Sequence, residues 1–331
     1  MKKMVYIIMT AMLFLTACGS ANRVVVQPKA LPSWYTHPPQ SNAFELYAIG
    51  EGKEKKEAIS NALTLLLSTL SVSISSNYSA KTIVKEGTHY NSSDATYVNE
   101  THSEVQKIKV TNYELLQSEK LGFKHYAVLI KVDKKQFFNG LKQDIEQQLN
   151  IIEMREQNIG SKNAIEQLAF YRQSLDSLKE LQNSLAVMKV LEPKFSAESY
   201  LQRYERLRKK HDALLQRISF WVKSNYQPLA FPIAKGISAK KLTIKNRKDK
   251  FHFNVLIDAD IKKASAYGFT LARANITIAT QDAHANVIAN NSLNLVGQSS
   301  QGYSIAKQDL VKKLNRLIEK EGIEKVLNLD I

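Results

Sequence analysis

The sequence predicts an α+β protein: two small α+β domains separated by a long antiparallel helical hairpin. Three observations carry this. Strand-like runs alternating apolar and polar residues dominate residues 44–132 around one amphipathic helix. The alternation vanishes from Lys134 to about Asn225, where apolar residues recur every three or four positions. It returns from about Lys241 to Val296, ahead of a closing helix.

The chain opens with two lysines, Lys2 and Lys3, and an uncharged apolar segment from Met4 to Ala17. That segment falls short of the roughly 20 apolar residues of a spanning helix but suits the core of an export signal. It ends in Leu15-Thr16-Ala17-Cys18, which resembles the bacterial lipobox, so cleavage is expected between Ala17 and Cys18 with acylation of the Cys18 thiol (palmitate or a similar chain). Each buried CH2 of such a chain contributes about 0.8 kcal/mol, and several chains together hold a protein at a membrane. Cys18 is the only cysteine, so no thiol remains for a disulfide. Gly19 stands where an Asp would retain an enteric lipoprotein in the inner membrane, which points to the outer membrane and a periplasmic face. No other segment reads as long and apolar enough to span a bilayer.

Removing residues 1–17 leaves 314 residues and a net charge of +13, because that segment carries two lysines and no acid. The basic residues are spread along the chain apart from Arg203–Lys210 and Lys240–Lys250. A dispersed excess on an exported chain argues against nucleic acid and leaves anionic envelope components as partners.

Residues 18–43 form a proline-rich tether. The first domain, residues 44–135, begins with a strand at Phe44–Gly50 and a helix from about Lys53 to Leu70, whose Ala58, Ile59, Ala62, Leu63, Leu66 and Leu70 make one apolar face. Strands are then expected at Ser71–Ser75, Lys81–Val84, Thr96–Val98, Glu104–Leu116 and Lys124–Val132, the last apolar enough to be central. Residues 136–226 are the helical arm. A first stripe (Phe138, Leu141, Ile145, Leu149, Ile152) stops at Gly160, and Asn163 with Glu166 reads as a capping box. Two helices of roughly 28 residues then meet at Pro193, about 40 Å long, with Ser196 capping the second; the alternative, that they cover a globular core instead of standing as a hairpin, is left open by the charge pattern of their flanking positions. Its stripe includes Tyr204, Leu207, His211, Leu214, Ile218 and Trp221. Residues 227–331 form the second α+β domain, with strands at Lys241–Lys245, Phe251–Ile261, Phe269–Thr280 and Asn286–Val296. A helix over Tyr303–Lys320 turns Ile305, Leu310, Leu314, Leu317 and Ile318 inward and ends at Gly322.

Pro32-Ser33-Trp34, Tyr47-Ala48-Ile49-Gly50-Glu51-Gly52 and Glu57-Ala58-Ile59-Ser60-Asn61-Ala62 follow one another in that order. Residues 32–135 thereby resemble the Lpp-twenty lipoprotein family of Helicobacter-type bacteria and the N-terminal domain of flagellar assembly protein T. The resemblance implies a non-catalytic α+β envelope module, in some relatives a part of flagellar structures. This chain continues almost two hundred residues beyond that domain.

The seven histidines never stand one helical turn apart, as a local metal site requires. Asp258 and Asp260 share a strand face, which polar residues at a strand end explain without a metal. No Gly-x-Ser-x-Gly or His-Glu-x-x-His occurs. Gly50 and Gly52 lack the spacing of a phosphate loop, and a tight strand-to-helix turn accounts for them. The reading is therefore a non-enzyme without cofactor or metal: a membrane-anchored structural or assembly component, with a carrier of an apolar or anionic ligand as the alternative. Trp34, Tyr204, His211 and Trp221 are the candidate contacts to envelope proteins or to further copies of the chain, although for Trp34 docking of the tether on its own domain is the favoured reading.

Overall fold

A computed structural model describes residues 30–85 and 108–331, and for residues 75–85 the backbone alone. Ala17 and Cys18, the signal segment, most of the tether and the strand expected at Thr96–Val98 lie outside the described residues.

The first sheet has order β1-β3-β2, all antiparallel, from β1 (Glu45–Gly52), β2 (Glu114–Gly122) and β3 (His125–Asp133). β3 is central, as its run Ala127–Ile130 requires. A short helix, α1 (Ser33–Thr36), precedes β1, and α2 (Lys55–Lys85) lies across β1 and β3. It buries Ala58, Ala62, Leu66, Leu67 and Leu70 against the sheet. The glycines of β1 serve this contact rather than a turn: a Cβ on Gly50 would stand 2.1 Å from the Ala58 carbonyl oxygen.

Three expectations fail in this unit. Ser71–Ser75 and Lys81–Val84 belong to α2, not to strands. Serine and threonine satisfy themselves along the helix by donating to the carbonyl four residues back, Ser68 to Thr64 and Ser73 to Thr69, each within 3.0 Å. Period-two polarity therefore does not unseat a helix already docked on a sheet. β2 starts only at Glu114; Ile108 and Val110 are buried plugs outside the ladder. Finally, α2 over Lys55–Ile74 is long and apolar enough by composition to cross a membrane, contrary to the sequence reading. Its buried face is that of a core helix.

Four helices follow: α3 (Lys134–Ile159), α4 (Ala164–Ser177), α5 (Leu181–Leu191) and α6 (Glu198–Arg217). The capping box is present, Asn163 accepting from the Glu166 amide at 3.0 Å and Glu166 from the Asn163 amide at 3.2 Å. Ala197, not Ser196, occupies the N-cap position of α6, without a side-chain capping bond. The long hairpin does not form. Its first helix breaks between Ser177 and Leu181, and α5 packs on α2 and α3. Its second ends at Arg217, because Ser219–Ser224 is a strand, β4. Nor do the helices hold two units apart: buried residues from both sheets and all four helices form one cluster, from Leu46 to Ile331. Arg172 of α4 pairs with Asp330 and donates to the Ile331 carbonyl, clasping the C-terminus. Burying apolar stripes on two sheets removes more surface from water than pairing two helices with each other.

The second sheet has order β5-β4-β6-β7-β8, with β5 (Thr243–Ile244), β6 (His252–Ala266), β7 (Phe269–Gln281) and β8 (Val287–Ser299). β4 runs parallel to β5 and β6, while β6, β7 and β8 form an antiparallel meander. Three helices, α7 (Ala230–Ala239), α8 (Tyr303–Glu321) and α9 (Ile323–Leu327), pack on this sheet. α8 ends at Gly322, φ +87°, as read from the sequence, but Ile305 is exposed and Ala306 takes the inward position.

Candidate functional site

The short helix α1 joins the tether to the first sheet through one carboxylate. Tyr35 Oη donates to Glu51 Oε1 at 2.6 Å, and His125 Nε2 lies 2.8 Å from Glu51 Oε2. The Tyr35 hydrogen bond, then that of His125, holds the Glu51 carboxyl below its ordinary value, while the same bond raises the Tyr35 phenol. Trp34 stands edge-on to its neighbour Tyr35 and is half-buried. The cluster ties α1 to the first sheet, with about half of the Glu51 side chain in solvent.

The helical layer holds a ladder of charges. Arg203 of α6 bonds Glu146, Asn150 and Glu153 of α3 at 2.8 to 3.0 Å; Arg206 and Lys210 continue it to Glu153 and Glu156. The basic run Arg203–Lys210 is thus largely consumed inside the protein. Tyr204, on the same helix, is half-buried against the core, and His211 Nδ1 lies 3.0 Å from Asp212 Oδ1. Trp221 sits in β4, where alternation turns it away from buried Phe220 and Val222. Trp34 belongs to the first sheet, Tyr204 and His211 to the helical layer, and Trp221 to the second sheet; no single site gathers all four.

Over β6, β7 and β8 the outer face of the second sheet is exposed, and among the described residues no helix packs on it. Arg273, Asn275 and Thr277 lie in β7, between β6 and β8, and all are exposed. Across the strands Asp260, Asn275 and Asn294 form one row, and Asp258, Thr277 and Ser292 the next. Asp258 accepts from Asn225 Nδ2 at 2.6 Å and Asp260 pairs with Lys262 at 3.0 Å, which leaves no paired carboxylates for a cation. Among the described residues no three His, Cys, Asp or Glu side chains gather as metal ligands. The sequence marks Asp258 and Asp260 as sharing this side but not that it is open, because alternation tells which residues share a side and not whether a helix covers it.

Two further surface depressions have cations at their edges. A cleft of about 640 Å³ opens beside the start of α4, with Lys162, Arg217 and Lys250 at its edge and Arg217 stacked 3.7 Å over Phe251. A groove of about 650 Å³ runs between α7 and α8, floored by Pro228, Pro232 and Val311 and edged by Phe231, Lys312 and Arg316.

Residues 32–133 match the LPP20 lipoprotein family. That supports a lipoprotein of the cell envelope and carries the Lpp-twenty half of the resemblance; the flagellar half rests on the sequence motifs alone. No curated protein matches the chain. Among solved structures, the chain is similar to a secreted protein of Helicobacter pylori at 13% identity and a TM-score of 0.48, covering 86% of this chain and 98% of that one. It is also similar to a minor lipoprotein of Acinetobacter baumannii, at 13% identity and a TM-score of 0.28, over 33% of this chain and 92% of that one.

Proposed function

We propose that the protein is a non-catalytic lipoprotein, anchored through Cys18 at the periplasmic side of the outer membrane, that acts as a structural or assembly component, with a flagellar complex as one setting. The observation that carries this reading is the open face of the second sheet. Exposed Arg273, Asn275 and Thr277 in a central strand, beside Asp258, Asp260 and Lys262, offer a polar and charged surface on which a partner's side chains find donors and acceptors. Deleting the helical segment would not test it, since β4 and part of the core go with it. Placing a photo-crosslinking residue at Asn275 in cells does. Capture of an envelope protein or of a second copy, absent when the probe is at exposed Lys248, supports the reading; no adduct from Asn275 sinks it.

A second reading is a binding module for an anionic envelope ligand, favoured by the cleft with Lys162, Arg217 and Lys250. Isothermal titration with short anionic glycan fragments, comparing the protein with Lys250→Glu, decides it.

A further inference from the structure

We infer that the groove between α7 and α8 is a second membrane contact, which lays the body of the protein on an anionic lipid surface. The residues point that way by chemistry and by size. Phe231 projects from α7 with 69% of its surface exposed, although α7 is otherwise the most apolar helix of the second unit. Beside it, Pro228, Pro232 and Val311 make an apolar floor. Around it stand Lys235, Lys312 and Arg316, with Lys307 a turn away over the rings of Tyr226 and Tyr303. The only acid in the groove, Glu319, is engaged by Asn315 at 2.7 Å and Lys235 at 3.8 Å. An exposed aromatic ringed by cations is the arrangement that inserts into the headgroup region while pairing with phosphates.

Nine residues line the groove, against about 20–30 on each side of a stable protein interface. A protein partner would find too little here, whereas a bilayer needs only one ring to insert and a few charges to hold it. The lipoprotein reading supplies the membrane. The fifteen residues from Cys18 to Pro32 span at most about 50 Å, so an acylated chain keeps this weak patch within reach of its surface at high effective concentration.

The test leaves out the acyl chain, so its failure and that of Cys18 lipidation stay distinct. Residues 19–331, which contain every described residue, are floated with vesicles of phosphatidylcholine alone or with phosphatidylglycerol added, at about 0.1 M salt where charges still act over about 10 Å. We expect binding to the anionic vesicles only, weakened about five-fold by each of Lys312→Glu and Arg316→Glu and weakened again by Phe231→Ala. Lys248→Glu, the same charge change elsewhere, retains most of the binding. The inference is overturned by equal binding of wild type and groove variants, by equal binding to neutral vesicles, or by no vesicle binding at all. It is likewise overturned if Phe231→Ala abolishes self-association of the protein in solution, since the groove would then belong to a second copy.

Discussion

Gly50 of β1 and Ala58 of α2 meet with no room for another atom: a Cβ on the glycine would lie 2.1 Å from the alanine carbonyl oxygen and 2.3 Å from the Ala62 amide nitrogen. The second sheet repeats the device with Gly297 of β8, whose Cβ would stand 2.0 Å from the Ala306 carbonyl oxygen of α8. Each α+β unit seats its long helix directly on strand backbone, and each does so where a glycine faces an alanine.

Gly50→Ala therefore forces the helix off the sheet. We expect a loss of about 2 kcal/mol or more, read as a lower midpoint in urea unfolding. Gly160, in right-handed helical geometry with nothing within 4 Å of its Cβ position, is the matched control; Gly160→Ala should be neutral or stabilise by about 0.5 kcal/mol. Equal midpoints for both variants would refute the close-approach argument.

Arg203→Ala should loosen α6 from α3, costing about 1–3 kcal/mol as three partners lose one guanidinium. The ladder also gives a pH dependence. Glu146, mainly through its Tyr200 hydrogen bond, and Glu153, through Arg203, titrate below the ordinary carboxylate value. Their contribution is present above that value and fades as pH falls through the lowered pKa. On the alkaline side, burial and then Glu146 push Tyr200 up to about 12. Its contribution is present below the ordinary tyrosine value of about 10 and fades as pH rises toward the raised one. Chemical unfolding across pH should show both flanks, with the acid flank flattened in Arg203→Ala.

Tyr35→Phe removes the strongest hydrogen bond to Glu51, so the Glu51 carboxyl should titrate at higher pH, as followed by carbon NMR. In a Trp221→Phe background, Trp34 emission should shift to the red if α1 has left the sheet. An unchanged Glu51 titration would show that the Tyr35 contact is not made in solution.

Cys18→Ala should abolish incorporation of labelled fatty acid and leave an unprocessed or unanchored precursor, since the chain has no other thiol. Label in the variant would end the lipoprotein reading.

Wherever a residue's fate depended on its near neighbours, the sequence determined the outcome. Apolar Ala127–Ile130 had to be central, Asn163 and Glu166 had to cap a helix, and Gly322 had to end one. Distant contacts decided the rest. Ser71–Ser75 alternates like a strand yet stays helical, because α2 is already docked on β1 and serine can bond the preceding turn. Ser219–Ser224 continues a helical stripe yet becomes β4, because Phe253 and Val255, over thirty residues on, supply a parallel ladder beside Phe220 and Val222. The break after Ser177 likewise accompanies a distant contact, the packing of α5 on α2 and α3. Trp221 was read from its spacing as one of a helix stripe, and the structure places it on a sheet face instead. Which faces stay open, the polar side of β6–β8 and the groove beside Phe231, was decided by tertiary packing alone, because exposure depends on what else comes to rest against a surface.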